Sequence, residues 1–141
     1  MEKTYGYARV STQEQNLERQ LMELRKYVED ERDIITDKES GKDFQRPGYQ
    51  YLRERLLRPG DTLIIKSLDR LGRNKEATIE ELTYYKKAGI HVKILDLPTT
   101  MVELPKEQAW VFELVNDILI QVLASIAEQE RLTIHKRQAE G

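Results

Sequence analysis

The chain has 141 residues, a formal net charge of −2 and no cysteine. One domain of that length buries roughly two-thirds of its unfolded surface without covalent staples, and the lack of cysteine excludes disulfides, thiol nucleophiles and zinc–thiolate centres. The charge gives no bulk attraction to nucleic acid or anionic lipid, so any such partner must be met by a local cluster or by help from elsewhere. Met1 is followed by no basic segment leading into a long apolar run, and no apolar stretch approaches the ~20 residues of a membrane span. A cytoplasmic protein that does not enter the membrane is therefore expected.

Four β-like runs alternate with helix-like segments. Lys3–Val10 is the first strand, and Thr12 is a candidate helix cap with Gln15 as its capping-box partner. Leu17, Leu21 and Leu24 then recur at helical spacing. Arg32–Thr36 is a short second strand, followed by the polar stretch DKESGKDFQR, expected to be a mobile loop. Pro47 suits the first turn of a helix reaching about Leu57. The turn RPGD leads into Thr62–Ser67, whose TLIIK core is the clearest buried strand. A third helix is expected over Lys75–Ala88 with Gly89 just past its end, and Ile90–Asp96 is the fourth strand. This alternation predicts an α/β fold: a mostly parallel sheet of four to five strands with helices on both faces.

The last third has a different character. From Lys106 to Gln138 there is neither glycine nor proline, enough for one helix of ~50 Å at 1.5 Å per residue. On a helical wheel Trp110, Val111, Leu114, Val115, Ile118, Leu119, Val122, Leu123 and Ile126 fill an arc of roughly 220°, about twice what one packed face needs. Either the helix lies deep in its own domain, or part of the arc covers the sheet and part meets another subunit. The second reading is preferred, because ~50 Å exceeds the diameter of so small a domain. The division expected is a catalytic α/β domain over 1–105 and an oligomerisation helix over 106–141.

Chemistry-bearing residues gather at the expected strand ends. Arg9 and Ser11 close the first strand, Asp69, Arg70 and Arg73 follow the third in SLDRLGRN, and Arg46 precedes the proline of the second helix. In a parallel sheet these ends open on one edge. Four guanidiniums together call for an anion between them, and their planar N–H forks suit phosphate oxygens. Taken singly, each arginine is better explained by a carboxylate partner, since 25 acidic residues are available. Ser11 is a nucleophile or a helix cap, with Thr12 competing for the cap. His91, in a strand, and His135, in the tail, are poorly placed to be its base. No histidine spacing fits a metal site, and neither GxxxxGK nor GxGxxG occurs, so no metal, nucleotide or other cofactor is expected. Asp69 would orient an arginine or take part in proton transfer.

The ordered segments YARVSTQEQNLERQ, TDKESGKDFQRPG, LDRLGRN and AEQER resemble the catalytic domain of the serine recombinases, the resolvase/invertase family of site-specific DNA recombinases. The resemblance covers the whole chain, and the ordered set is far more specific than any one piece. It implies that Ser11 attacks a DNA phosphodiester to give a 5′-phosphoserine link and a free 3′-hydroxyl. It further implies that Arg9, Arg46, Arg70 and Arg73 bind the scissile phosphate, and that Asp69 stands beside them. Gln15 and Gln20 would support the site, and Glu130 and Arg131 match the end of the long helix. The partners implied are double-stranded DNA and a homodimer that assembles into a tetramer; a regulatory protein bound on the same DNA is left open. Strand exchange would need neither metal nor ATP.

Two departures stand beside this resemblance. LPTTMVELPKEQAW lacks the TPxG-like approach to the long helix, leaving open a short fifth strand there. Relatives continue into a minor-groove arm and a helix-turn-helix domain, whereas this sequence stops at Gly141, so a catalytic fragment without its DNA-binding domain is expected. Two other functions compete: a non-catalytic assembly module built on the long helix, and a hydrolase using Ser11 on small phosphate esters. The intact arginine set argues against the first, and the long helix against the second.

Overall fold

The computed structural model describes residues 2–10, 14–38, 46–72, 74–102 and 106–140. Its centre is a four-stranded parallel sheet of β1 (Thr4–Val10), β2 (Ile34–Lys38), β3 (Thr62–Ile65) and β4 (His91–Ile94), in the order β2-β1-β3-β4. Register is continuous across it: Tyr7 lies opposite Ile35 on one side and Ile65 on the other, and Ile65 opposite Ile94. The α/β fold is therefore as the sequence predicts, with four strands. The described part of the doubtful Leu97–Val111 segment forms 3₁₀ turns at Pro98–Thr100 and Lys106–Gln108, not a fifth strand.

Strand alternation divides the core. Tyr5, Tyr7, Leu63, Ile65 and Ile94 point to one face, where they meet Tyr49, Leu52, Leu71, Tyr85 and Ile120. Gly6, Ala8, Ile34 and Ile64 belong to the other face, covered by Leu24 and Val28. Thus α1 (Glu14–Arg25) lies on one side, while α2 (Pro47–Tyr51) and α3 (Lys75–Ala88) lie on the other. The strand order reverses direction at β1, so the crevice of this sheet opens at the carboxyl ends of β1 and β3.

Local chemistry accounts for most element ends. The Asn74 side chain accepts from the Ala77 N–H at 2.8 Å to cap α3, and Gly89 closes it in the left-handed conformation at φ 75°. Asp30 caps a 3₁₀ turn at Glu31–Asp33, which pushes β2 two residues later than its apolar pattern suggests. The second helix has the expected extent but changes pitch: after Tyr51 it widens into a π-helical turn over Leu52–Leu56.

The last element, α4 (Ala109–Glu140), is a single helix of 32 residues, about 48 Å long at 1.5 Å per residue. The described side chains of the apolar arc are mostly exposed, Leu119 being half-buried. Among the described side chains of α4, Ile120 and Ala124 are buried, and Asp117 beside them pairs with Lys86 of α3. Trp110, Leu114, Ile118, Val122 and Ile126 are 48–66% exposed, so these arc residues face away from the body rather than sharing themselves with it. On the helical wheel Ile120, Ala124 and Asp117 fall outside the apolar arc, roughly opposite its centre. No helix among the described residues is long and apolar enough to cross a membrane.

Candidate active site

At the carboxyl end of β1, Arg9 is buried and its Nη2 donates to the backbone carbonyl of Asp69 at 3.3 Å. Gln20, one turn from the end of α1, is also buried and sends Nε2 to the Arg9 carbonyl at 3.5 Å. Arg46, immediately before α2, arrives from the other direction. Its Nη1 donates to the Arg70 carbonyl and its Nη2 to that of Leu71, the latter at 2.9 Å. Arg9 and Arg46 therefore close on one short 3₁₀ turn, Leu68–Arg70, directly after β3. The carboxylate partners that explain a lone arginine are not what these three contacts use.

Arg70 belongs to that turn. Its Nη1 lies 3.9 Å from the Asp69 carboxylate, and its buried Nε has no hydrogen-bond partner among the described residues. Asp69 itself is exposed and accepts from the Ser67 hydroxyl. Its backbone carbonyl, rather than its carboxylate, orients Arg9. Gly72 lets the turn pass against the start of α3: a Cβ there would lie 2.6 Å from the Thr78 nitrogen, so a side chain would force the turn outward.

The candidate residues thus fall into three groups. Arg9, Arg46, Asp69, Arg70 and Gln20 are brought together by the contacts above. Ser11, Arg73 and residues 39–45 of the loop expected over 37–46 lie outside the described residues, as do the side chains of Gln15 and Arg131, while Asp37 and Lys38 prove to be the end of β2. Glu130 is exposed on α4. Among the described residues no group of three His, Asp or Glu is gathered as metal ligands.

Sequence reasoning missed two residues that support this arrangement. The first is Asp37, buried at the end of β2. Its Oδ1 accepts from the Gly48 N–H and its Oδ2 from the Tyr49 N–H, each at 2.9 Å, and Oδ2 also accepts the Tyr7 hydroxyl at 2.9 Å. Arg46 occupies the cap position of α2 and gives no side-chain cap, so a carboxylate from a neighbouring strand satisfies the helix's first N–H groups instead. The approach depends on Gly48, where a Cβ would stand 2.8 Å from Asp37 Oδ1 and 3.0 Å from the Thr36 carbonyl. The available signal was a helix opening Arg-Pro-Gly without a capping side chain, with an acidic residue on the core-facing phase of the preceding strand.

The second is Tyr49. Its ring lies 5.1 Å from that of Tyr7, its hydroxyl donates to Glu81, and it accepts the Tyr85 hydroxyl at 2.7 Å. Burial pushes the ionisation of Tyr7, Tyr49 and Tyr85 well above the ordinary phenol range; the Asp37 carboxylate adds to the effect on Tyr7, and Tyr85 and Glu81 add to that on Tyr49. Above about pH 10 the unfolded chain releases these protons while the folded chain keeps them, so stability falls as pH rises. The expected slope is roughly 1.4 kcal/mol per pH unit for each of the three. Urea midpoints should be flat between pH 7 and 9 and drop steeply above 10; a midpoint level to pH 11.5 would contradict the burial of these hydroxyls.

Residues 4–141 match the family model described as the resolvase N-terminal domain. Similar curated proteins include the transposon Tn501 resolvase of Pseudomonas aeruginosa, 34% identical over 96% of this chain and 66% of that protein. A resolvase/recombinase of Pseudomonas putida is 31% identical over 97% of this chain and 70% of its own length. The transposon Tn21 resolvase of Escherichia coli is 35% identical over 96% and 66% respectively. The chain spans about two-thirds of the length of these relatives. With the match running through β1, the turn after β3 and α4, the chain belongs to the resolvase family and corresponds to its N-terminal domain.

Proposed function

We propose that the chain is the catalytic domain of a site-specific DNA recombinase that works through Ser11. The Ser11 hydroxyl oxygen attacks a DNA phosphorus, the bond from phosphorus to the 3′-oxygen breaks, and that oxygen leaves as a hydroxyl carrying one proton. The 5′-phosphate is then held as a serine ester, and attack by a 3′-hydroxyl on that ester reseals DNA. One phosphodiester is exchanged for another, so resealing needs no ATP, and the arginines hold the phosphate charge that a metal would otherwise hold. The observation that carries this reading is the convergence of Arg9 and Arg46 on the turn containing Arg70, at the sheet edge where Ser11 follows Arg9 by two residues. Arg9, Arg46, Arg70 and Arg73 supply the charge that stabilises the phosphorane-like transition state and favours the serine alkoxide. Asp69 is a candidate in proton transfer, and Gln15, Gln20, Glu130 and Arg131 act in support.

The domain division follows the same reading: 1–105 carries the chemistry, and 106–141 carries the subunit contacts and the approach to DNA. The exposed Leu114, Ile118 and Val122 of α4 support a homodimer, and two dimers a tetramer that aligns two duplexes. The cytoplasm, where double-stranded DNA is available, is the proposed location. Ile118→Glu with Val122→Glu should weaken self-association at least about tenfold by sedimentation without lowering the melting temperature by more than a few degrees. An unchanged association constant would remove α4 from the subunit contact.

The test of the reaction joins the full chain through Gly141 to a DNA-binding domain of known site. Duplexes carrying two inverted copies of that site around randomised spacers are incubated with it in EDTA and then denatured. A protein–DNA adduct that survives denaturation is expected. Cleavage that requires added Mg²⁺ would instead identify a metal nuclease, and turnover of a small phosphate ester without DNA attachment a hydrolase.

A further inference from the structure

The guanidinium carbon of Arg46 lies 4.0 Å from the centroid of the Tyr49 ring, and Arg46 is buried. A guanidinium at that distance is attracted by the ring's quadrupole, most strongly where water is excluded. The ring itself is held at its far end. Its hydroxyl donates to Glu81 and receives from Tyr85, both on α3, and Glu81 is held in turn by Arg53 Nε at 3.0 Å. Arg53 stacks on Tyr84 at 3.7 Å, so the chain of contacts ends on a second α3 ring. The backbone at the base of Tyr49 is fixed separately, by Asp37.

We propose that Tyr49 is a positioning residue for Arg46: its ring is a shelf that sets the direction of the guanidinium, and Tyr85, Glu81 and Arg53 pin that shelf to α3. The proposal rests on Arg46 acting at the scissile phosphate. An aliphatic residue such as leucine would fill part of the same space, but it offers no π face to the cation and no hydroxyl to α3. The shelf matters because Arg46 also reaches the Arg70 and Leu71 carbonyls. A guanidinium turned away from that turn leaves both its own place and the backbone that carries Arg70 less defined. Catalytic constellations lose rate when such supporting contacts loosen, even with every reacting group present.

The test uses the full chain joined to the DNA-binding domain described above, with the same inverted-site duplexes and the adduct rate as readout. Tyr49→Leu should slow adduct formation at least tenfold while DNA affinity stays within twofold. Tyr49→Phe, which keeps the ring, should slow it only about threefold. Combined with Arg46→Lys, Tyr49→Leu should add less than twofold, because the residue it orients is already altered. Ring-current shifts on the Arg46 side-chain protons should be present in the unaltered protein and in Tyr49→Phe. If Tyr49→Leu does not fold, Tyr85→Phe with Glu81→Gln cuts the anchor and spares the ring, and should slow the reaction about threefold. An unaltered protein that forms adduct while the shelf or anchor variants match its rate overturns the proposal. So does an effect of Tyr49→Leu that persists in full beside Arg46→Lys, since Tyr49 would then act by another route. Absence of adduct with the unaltered protein strikes at the recombinase reading itself and removes the proposal's premise, an outcome distinct from both.

Discussion

Ser11→Ala is expected to abolish covalent attachment to DNA, lowering adduct formation by at least about a thousandfold, as removal of a nucleophile does in other covalent enzymes. DNA affinity should change little, because the hydroxyl is one neutral group among several arginines. Arg9→Ala and Arg46→Ala should also fall steeply, roughly 10² to 10³-fold each, since each removes positive charge from a partly desolvated site. The two arginine variants differ from the serine variant in kind. They should leave a slow residual reaction, whereas Ser11→Ala should leave none above background. Ser11→Cys gives a further check: a thiolate can attack but makes a poorer partner for phosphorus, so weak adduct formation is expected rather than none. Retention of normal adduct by Ser11→Ala would transfer the nucleophile to another side chain.

The largest effect on stability is expected at Asp37. Its carboxylate accepts from the Tyr7 hydroxyl and from the Gly48 and Tyr49 N–H groups in a buried place. Asp37→Ala leaves three donors without an acceptor, at about 1–3 kcal/mol for each that water cannot reach. Allowing for relaxation of the α2 end, a loss of roughly 3–5 kcal/mol is expected, a large share of a domain's 5–15 kcal/mol. In urea this corresponds to a fall in midpoint of about 1.5–2.5 M for a slope near 2 kcal/mol/M. Asp37→Asn keeps one acceptor oxygen and should lose about half as much. Adduct formation should fall as well, since Asp37 fixes the backbone from which Arg46 projects. A midpoint within 0.5 M (roughly 1 kcal/mol) of the unaltered chain would show that the α2 end finds other acceptors.

Much of this architecture was legible in the residues. The run TLIIK gave β3, and the alternation of strands with helices gave the parallel sheet, because those patterns record burial directly. Gly89 marked the end of α3 for a backbone reason that needs no tertiary knowledge. Of the four arginines expected to converge, Arg9 and Arg46 approach the single turn that carries Arg70, since a parallel sheet delivers its carboxyl ends to one edge, while Arg73 lies outside the described residues.

What was not legible depended on contacts distant in sequence. Asp37 looked like the first residue of a polar loop, and its role exists only because Gly48 and Tyr49 return to it eleven and twelve positions later. Nothing local to Tyr49 marks its ring as a support for Arg46. On α4 the periodicity correctly showed more apolar surface than one face needs, but not which part meets the body. Ile120 and Ala124 outcompeted the longer arc because the helix is docked through a close approach to α3. Packing of that kind is decided by the partner surface, not by the helix's own pattern.

The central claim is tested most directly by finding the atom that carries the DNA. Adduct made in EDTA by the unaltered protein is digested with trypsin, and the DNA-linked peptide is sequenced by mass spectrometry. Cleavage after Arg9 and Arg19 gives the peptide Val10–Arg19. The expected result is a phosphate ester on Ser11 of that peptide, joined to a DNA 5′-end, with the other strand fragment ending in a free 3′-hydroxyl. Attachment at Thr12 or at a tyrosine, or a link to a 3′-phosphate, would contradict the mechanism.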